Sequence, residues 1–171
     1  MDKKFIKYFK DKKILITGHT GFKGAWLCII LKYLNAKIYG ISLEAEKNSL
    51  FEKAKLRKIM HGHNIFDIRN KKKMKKKVLD IKPDIIIHLA AQSLVLKSYK
   101  KPFETFEVNF NGTLNIINMF LKSKFTKKIL VTTTDKVYKN NGNIIYKEND
   151  QIWGAEPYSA SKVAVEQLMF S

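Results

Sequence analysis

The sequence is poor in cysteine, proline, arginine and acidic residues, and each shortage excludes something. A single cysteine, Cys28, rules out an intrachain disulfide framework and fits a reducing, cytoplasmic setting. Three prolines and eight glycines leave no Pro- or Gly-rich linker, and no internal repeat or low-complexity stretch interrupts the chain. The longest unbroken apolar run, Ala25 to Leu31, is far below the roughly 20 residues of a membrane span. Met1 to Lys13 interleaves lysines with Phe5, Ile6, Tyr8 and Phe9, so no signal peptide is read there. Fifteen acidic residues stand against 33 basic ones, for a net charge of +18. All the basic residues but Arg57 and Arg69 are lysines, whereas reading bases or clamping phosphates relies on the planar arginine fork. The excess therefore reads as solvated surface. The expected partners include no specific nucleic acid and no membrane, only weak, salt-sensitive binding to polyanions.

What is present is a core. Of 171 residues, 45% are hydrophobic and 12% aromatic, enough for one domain and too few for two comfortable ones. Continuous apolar runs at Ile14 to Thr17, Ile85 to Leu89 and Ile129 to Thr133 read as strands covered on both faces. Weaker strands fit Lys37 to Ser42 and Asn64 to Phe66. Helices are predicted over Phe22 to Leu34, over Leu50 to Met60 behind the caps Asn48 and Ser49, and over Lys71 to Ile81. In the last, Met74, Val78 and Leu79 line one face and the lysines the other. Pro102 suits the first turn of a long helix carrying Phe103, Phe106, Phe110, Leu114, Ile117 and Leu121 at intervals of three or four. A final helix begins near Tyr158. Five alternations of strand and helix predict an α/β, Rossmann-like, doubly wound parallel sheet, whose ligands sit beyond the carboxyl ends of the strands.

The chemistry-bearing residues fall at those ends. Gly18-His19-Thr20-Gly21-Phe22-Lys23-Gly24 follows the first strand and opens the first helix. Glycines there allow a tight turn and close approach of a pyrophosphate to the helix amino end. Glu44 or Glu46, slightly late after the second strand, either holds the adenosine ribose, which leans toward NAD rather than NADP, or is an ordinary loop acid. Asp67-Ile68 is placed to meet the adenine edge, or Asp67 caps the following helix. Three Tyr-x-x-x-Lys pairs occur, Tyr8/Lys12, Tyr33/Lys37 and Tyr158/Lys162, where composition alone predicts about one by chance. Only Tyr158/Lys162 follows the hydroxyl-rich end of the fifth strand, Thr132-Thr133-Thr134, and starts a helix. Thr134-Asp135-Lys136 then sets a hydroxyl, a carboxylate and an amine side by side. His88 reads as a satisfied core histidine. His61 and His63 have no ligand partners nearby, so no metal is expected.

These residues resemble the extended short-chain dehydrogenase/reductase family. The likeness rests on the glycine turn, Asp67-Ile68, His88-Leu89-Ala90-Ala91, Asn109, Gly112-Thr113 and Tyr158/Lys162. Within that family it is greatest to the nucleotide-sugar 4,6-dehydratases that act on CDP-glucose, through Thr17 to Gly24, Asp84 to Ser93 and Thr134-Asp135-Lys136. Relatives acting on dTDP-glucose carry glutamate where this chain has Lys136. The resemblance spans Lys12 to Val165, but family members are about twice as long, so residues 1–171 are expected to form a truncated NAD-binding Rossmann domain without the substrate-binding region.

The resemblance implies NAD held by Gly18, His19, Gly21, Phe22, Lys23, Gly24, Asp67, Ile68, Leu89, Ala90, Ala91, Asn109, Tyr158 and Lys162, and catalysis by Thr134, Asp135, Lys136, Tyr158 and Lys162. Tyr158, its pKa lowered by Lys162 and the nicotinamide charge, would take the proton of the sugar 4-hydroxyl. Asp135 would be the acid for the departing 6-hydroxyl, Thr134 a donor to the 4-oxygen, Asn109 a support, and Lys136 a neutral base or an electrostatic stabiliser. It further implies deoxysugar synthesis for lipopolysaccharide, and either a homodimer through the helices at 102–122 and 158–171 or a complementing carboxyl-terminal polypeptide. Two alternatives stay open: another nucleotide-sugar enzyme such as a 4-epimerase, and a basic, non-catalytic binding protein on the same scaffold.

Overall fold

The computed structural model describes residues 3–140, 142 and 145–171. These fall into two compact units, one of residues 1–90 with 116–131 and one of residues 91–115 with 132–171.

The first unit is built on a parallel sheet of strands β1 (Lys13–Thr17), β2 (Lys37–Ser42), β3 (Gly62–Ile65), β4 (Ile85–His88) and β5 (Lys128–Val131), in the order β3-β2-β1-β4-β5. That order, with its reversal beside β1, is the expected Rossmann-like, doubly wound arrangement. β1 is central: Ile14 registers with Ile38 on one side and with Ile85 on the other. Ile14, Leu15 and Ile16 are all fully buried, and since successive strand side chains alternate, both faces of β1 are covered. One core cluster gathers Ile14, Ile16, Ala25, Cys28, Leu31 and Ile38 with Phe51 and Leu56. Burial pushes the Cys28 thiol up to about 12, which makes it a packing group rather than a nucleophile. At β5 the burial is looser, and Leu130 is 58% exposed at the sheet edge.

The helices of this unit are α1 (Lys3–Phe9), α2 (Phe22–Tyr33), α3 (Leu50–Lys53) and α4 (Lys71–Ile81). α1 lies in the lysine-rich start, where no element was expected; its Ile6 and Phe9 pack on the core. The helix predicted over Leu50 to Met60 is broken. Ser49 caps α3, Lys55 turns left-handed at φ 51°, and a separate 3-10 turn covers Leu56–Ile59. In α4 the buried residues are Met74, Val78 and Ile81, while Leu79 is half exposed. The stripe follows the four-then-three spacing of one helical face, and Leu79 lies about 100° away from Val78. The lysines of α4 stay on the solvated side as expected.

The second unit contains α5 (Val95–Lys100), α6 (Pro102–Phe106), a π-helical turn (Glu107–Asn111) and α8 (Pro157–Phe170), while α7 (Gly112–Leu121) begins in it. The long helix predicted from Pro102 is thus present but loosened at Asn109 by the wider turn. α5 had no counterpart in the sequence reading. α8 is capped by Glu156, whose carboxylate accepts from the amides of Tyr158 (2.6 Å) and Ser159 (2.9 Å), with Pro157 at the first helical position. Among the described residues no helix is long and apolar enough to cross a membrane.

Candidate active site

In the first unit, the glycine turn grows directly out of β1. Gly18, at φ 77°, donates its amide to Ile41 (2.8 Å), and a Cβ built on it would lie 2.7 Å from the Ala90 amide nitrogen. Gly24 is confined too: its Cβ would meet the Gly18 carbonyl oxygen at 2.2 Å. Gly21 differs. It has an ordinary φ of −74°, caps α2 without a side chain, and its Cβ would find only the Gly18 carbonyl oxygen, at 3.4 Å. The chain's own packing therefore demands glycine at 18 and 24 but leaves open space at 21. Beside that space stand the first-turn amides of α2, a twelve-residue helix with no acidic residue in its first turn. Lys23 and Phe22 are exposed there.

Around the turn, Thr17 is a hub. Its hydroxyl meets His88 Nδ1 at 2.5 Å and accepts from the Ala90 amide at 3.2 Å, holding Leu89-Ala90 against Gly18. His88 is the satisfied core histidine expected. Thr20 reaches the Ser42 hydroxyl (2.6 Å) and the Leu43 carbonyl (3.0 Å), tying the turn to the end of β2. The His19 ring turns inward and is fully buried, with Nε2 2.8 Å from His63 Nδ1 and its edge toward Phe51. Its side chain is therefore unavailable to a cofactor. Burial, reinforced by His63, lowers the His19 pKa to about 4. His63 is lowered as well, by desolvation and then Arg57, against the opposing charges of Glu44 and Glu52. Glu44 and Glu46 are both exposed. The Asp67 carboxylate is gripped by the Arg69 guanidinium at 2.7 Å, which holds it below the usual carboxylate range. Asn70, not Asp67, caps α4; Ile68 is buried. No group of three or more potential metal ligands stands together among the described residues.

In the second unit, Asn109 is fully buried in the π-helical turn. Its Oδ1 accepts from the Gln92 amide (2.8 Å), while Nδ2 donates to the Gln92 carbonyl (3.1 Å) and the Ser161 hydroxyl (2.9 Å). One side chain thereby fixes the segment after Ala91 to α8. Tyr158 and Lys162, one turn apart on α8, are both buried. The Lys162 ammonium donates to the Thr132 carbonyl at 3.0 Å, and the Thr134 hydroxyl, which donates to the Asp135 carboxylate at 3.1 Å, also faces the Tyr158 phenol. The phenol pKa is raised by its protein surroundings. Burial is the largest cause, the Thr134 bond opposes it, and the charges of Glu156 and Asp135 raise it further. Asp135 and Lys136 are exposed in a 3-10 turn over Asp135–Val137. β5 ends at Val131, so all three threonines lie beyond it. The rival pairs do not form such a site. Tyr8 lies under Lys12 and Lys128 on the surface, and Tyr33 is 66% exposed with Lys37 away on β2.

A family model described as GDP-mannose 4,6 dehydratase matches residues 15–171. The chain belongs to that family. The expected extended short-chain dehydrogenase/reductase resemblance is thus met. Among curated relatives, "CDP-glucose 4,6-dehydratase" of Salmonella typhimurium is 38% identical over 161 residues, covering 93% of this chain and 45% of that protein. "UDP-glucose 4-epimerase" of Mycoplasma genitalium is 26% identical over 92% of this chain and 47% of its own length. Among solved structures, Pal from Bacillus thuringiensis superposes with a TM-score of 0.82 at 28% identity, over 91% of this chain and 50% of that one. The chain spans about half the length of the family members it matches.

Several residues that organise the site carried no recognisable signal. Gln92 anchors its loop through Leu94 and the Thr105 hydroxyl (3.0 Å); Ser161 and Glu166 bond Asn109 and Thr133. Glu166 is four residues past Lys162, a spacing that places it on the same helix face, but nothing in the sequence tells which segment it meets.

Proposed function

We propose that this chain provides the dinucleotide-binding and acid–base parts of a nucleotide-sugar 4,6-dehydratase that converts CDP-glucose to CDP-4-keto-6-deoxyglucose. Support comes from family membership, from the 38% identical CDP-glucose 4,6-dehydratase, and above all from the buried Tyr158 phenol hydrogen-bonded to Thr134, with Lys162 one turn on.

The glycine turn fits a dinucleotide pyrophosphate, because Gly21 leaves open space beside the first-turn amides of α2, whose N-cap glycine has no side chain to bond them. Gly18, Gly21, Phe22, Lys23 and Gly24 would cradle it through backbone atoms, His19 through its backbone alone, and Asp67-Ile68 and Leu89-Ala90 would flank the adenosine and the nicotinamide side. Ala91, Asn109, Tyr158 and Lys162 belong to the same proposed set. NAD, when bound, supplies a hydride acceptor that later returns the same hydride to the sugar. Tyr158 removes the proton of the 4-hydroxyl, and the Thr134 hydroxyl donates to the 4-oxygen. The 4-ketone acidifies carbon 5, so its C–H bond breaks together with the bond from carbon 6 to oxygen. Asp135 delivers a proton to the departing 6-hydroxyl, which leaves as water. The carboxylate left behind takes up the carbon-5 proton, which goes back to carbon 5 when the hydride returns to carbon 6. Lys136 is exposed, which favours electrostatic stabilisation of the enolate over a base, since a lysine base needs burial. The reading carries with it a cytoplasmic location, deoxysugar supply to lipopolysaccharide, and a protein partner. That partner is a second copy through the helices at 102–122 and 158–171, or a carboxyl-terminal polypeptide. The exposed Phe103, Leu121 and Phe170 support either.

The relatives that are 4-epimerases favour a second reading, in which Tyr158 and Lys162 act without Asp135 and Lys136. Asp135→Asn separates the two in a polypeptide of full family length supplied with CDP-glucose and NAD. A dehydratase loses the 4-keto-6-deoxy product seen by NMR, whereas an epimerase keeps its turnover. An unchanged rate in Asp135→Asn overturns the dehydratase assignment.

A further inference from the structure

Tyr158, Lys162 and Glu166 follow one another at intervals of four on α8, so they stand on one face, one turn apart. Three consecutive residues meet them. The Thr132 carbonyl accepts from Lys162, the Thr133 hydroxyl donates to the Glu166 carboxylate, and the Thr134 hydroxyl bonds the Tyr158 phenol. Thr134 itself is extended, at φ −158° and ψ 152°; its hydroxyl also donates to the Asp135 carboxylate at 3.1 Å and accepts from the Lys136 amide. Beyond Val131 the segment has left the sheet, so β-ladder bonds no longer hold it. The ties to α8 replace them.

We infer that Glu166 is a positioning residue, which by holding the Thr133 hydroxyl sets the Thr134 hydroxyl against the Tyr158 phenol. Lys162 secures the other side of the same segment, but a ligand that drew its ammonium away would leave Glu166 as the remaining side-chain anchor of the threonines. A carboxylate suits this task because it accepts strongly from a hydroxyl, and Glu166 is half-buried, where such a bond is worth more than on the surface. The inference rests on Tyr158 as the acid–base group, but its geometry lies wholly within the second unit.

The test reads the phenol itself. The chain is labelled with 3-fluorotyrosine, which brings the phenol titration to milder pH. It is followed by ¹⁹F NMR, with the Tyr158 signal assigned by its loss in Tyr158→Phe. Thr134→Val removes the hydroxyl that turns from Asp135 to stabilise the phenolate as it forms, and should raise the Tyr158 midpoint by roughly half to one pH unit. Glu166→Ala and Thr133→Val should raise it in the same direction, whereas Glu166→Gln, which keeps an accepting oxygen, should titrate like the parent chain. If Glu166→Ala does not fold, Thr133→Val and Glu166→Gln carry the comparison. A Thr133→Val or Glu166→Ala midpoint equal to the parent's, with Thr134→Val shifted, overturns the inference. A midpoint that falls in both Glu166 variants means that the carboxylate acts by its charge, and overturns it equally. No shift in Thr134→Val removes the bond on which it is built. Because no turnover enters, a failure to find dehydratase activity would sink the functional proposal and leave this result intact.

Discussion

Replacing the glycines of the turn one at a time should separate folding from ligand binding. Gly24→Ala places a Cβ 2.2 Å from the Gly18 carbonyl oxygen and 2.6 Å from His19 Cα, both backbone atoms that cannot swing aside. Alanine normally favours a helix over glycine by about 1 kcal/mol, but overpacking of this kind costs about 3 kcal/mol, so the net effect is a clear loss of stability. Gly21→Val meets only one atom, at 3.4 Å, and its φ of −74° suits any residue. Its folding stability should stay within about 0.5 kcal/mol of the parent chain. Binding is another matter. A valine side chain there occupies the space beside the first-turn amides of α2. Losing two charge-assisted amide bonds to a phosphate costs roughly 3–6 kcal/mol, a drop in affinity of more than about a hundredfold. Urea unfolding gives the stabilities, and NAD titration followed by amide NMR shifts reads even millimolar binding. A Gly21→Val chain that binds NAD as the parent does would refute the phosphate assignment. One that unfolds as readily as Gly24→Ala would refute the claim of open space.

Other consequences are equally direct. In a catalytically competent, family-length context, Tyr158→Phe should lower turnover by a hundredfold or more, in the range ascribed to general acid–base groups, while Tyr8→Phe and Tyr33→Phe leave it unchanged; full activity in Tyr158→Phe would remove its assigned role. His19 in the folded chain resists protonation down to about pH 4, whereas the unfolded chain takes up that proton near 6.5. Stability is therefore lost as pH falls from 6.5 toward 4, by up to about 3 kcal/mol, and His19→Gln should flatten this part of a urea-unfolding profile; an unaltered slope would show that His19 is not the group responsible. The 171-residue chain alone, with Leu130 exposed on the β5 edge, should self-associate and form no 4-keto-6-deoxy product from CDP-glucose and NAD. Light scattering should show Leu130→Lys to be more monomeric, and product at an ordinary enzymatic rate from the 171 residues would contradict this expectation.

Much of this architecture is local information. Lys37 to Ser42 and Lys71 to Ile81 match their elements to the residue, because a short apolar stretch and an amphipathic spacing each fit one backbone period, although the buried stripe of α4 takes in Ile81 and not Leu79. The break at Lys55 could not, since a left-handed lysine leaves no mark in the composition of its neighbours. Nor could the π-helical turn at Asn109, because its apolar spacing is close to that of an ordinary helix. The glycine spacing was visible, yet only the packing distinguishes Gly18 and Gly24, which crowd backbone, from Gly21, which does not.

Side-chain pairings across the chain belong to the tertiary structure. The sequence alone was sufficient for the five strands in order and for the alternation of strand and helix that makes the sheet doubly wound, because periodicity along the chain carries those, though it showed neither α1 nor α5. It could not say that His19 turns inward to His63, 44 residues away, or that Thr17 meets His88, 71 residues away. Nor could it say that Thr133 finds Glu166 across 33 residues, or that burial would raise the Tyr158 phenol. A hydrogen bond or a desolvation shift depends on which groups share a few ångströms of space, and that is decided only when separate elements pack.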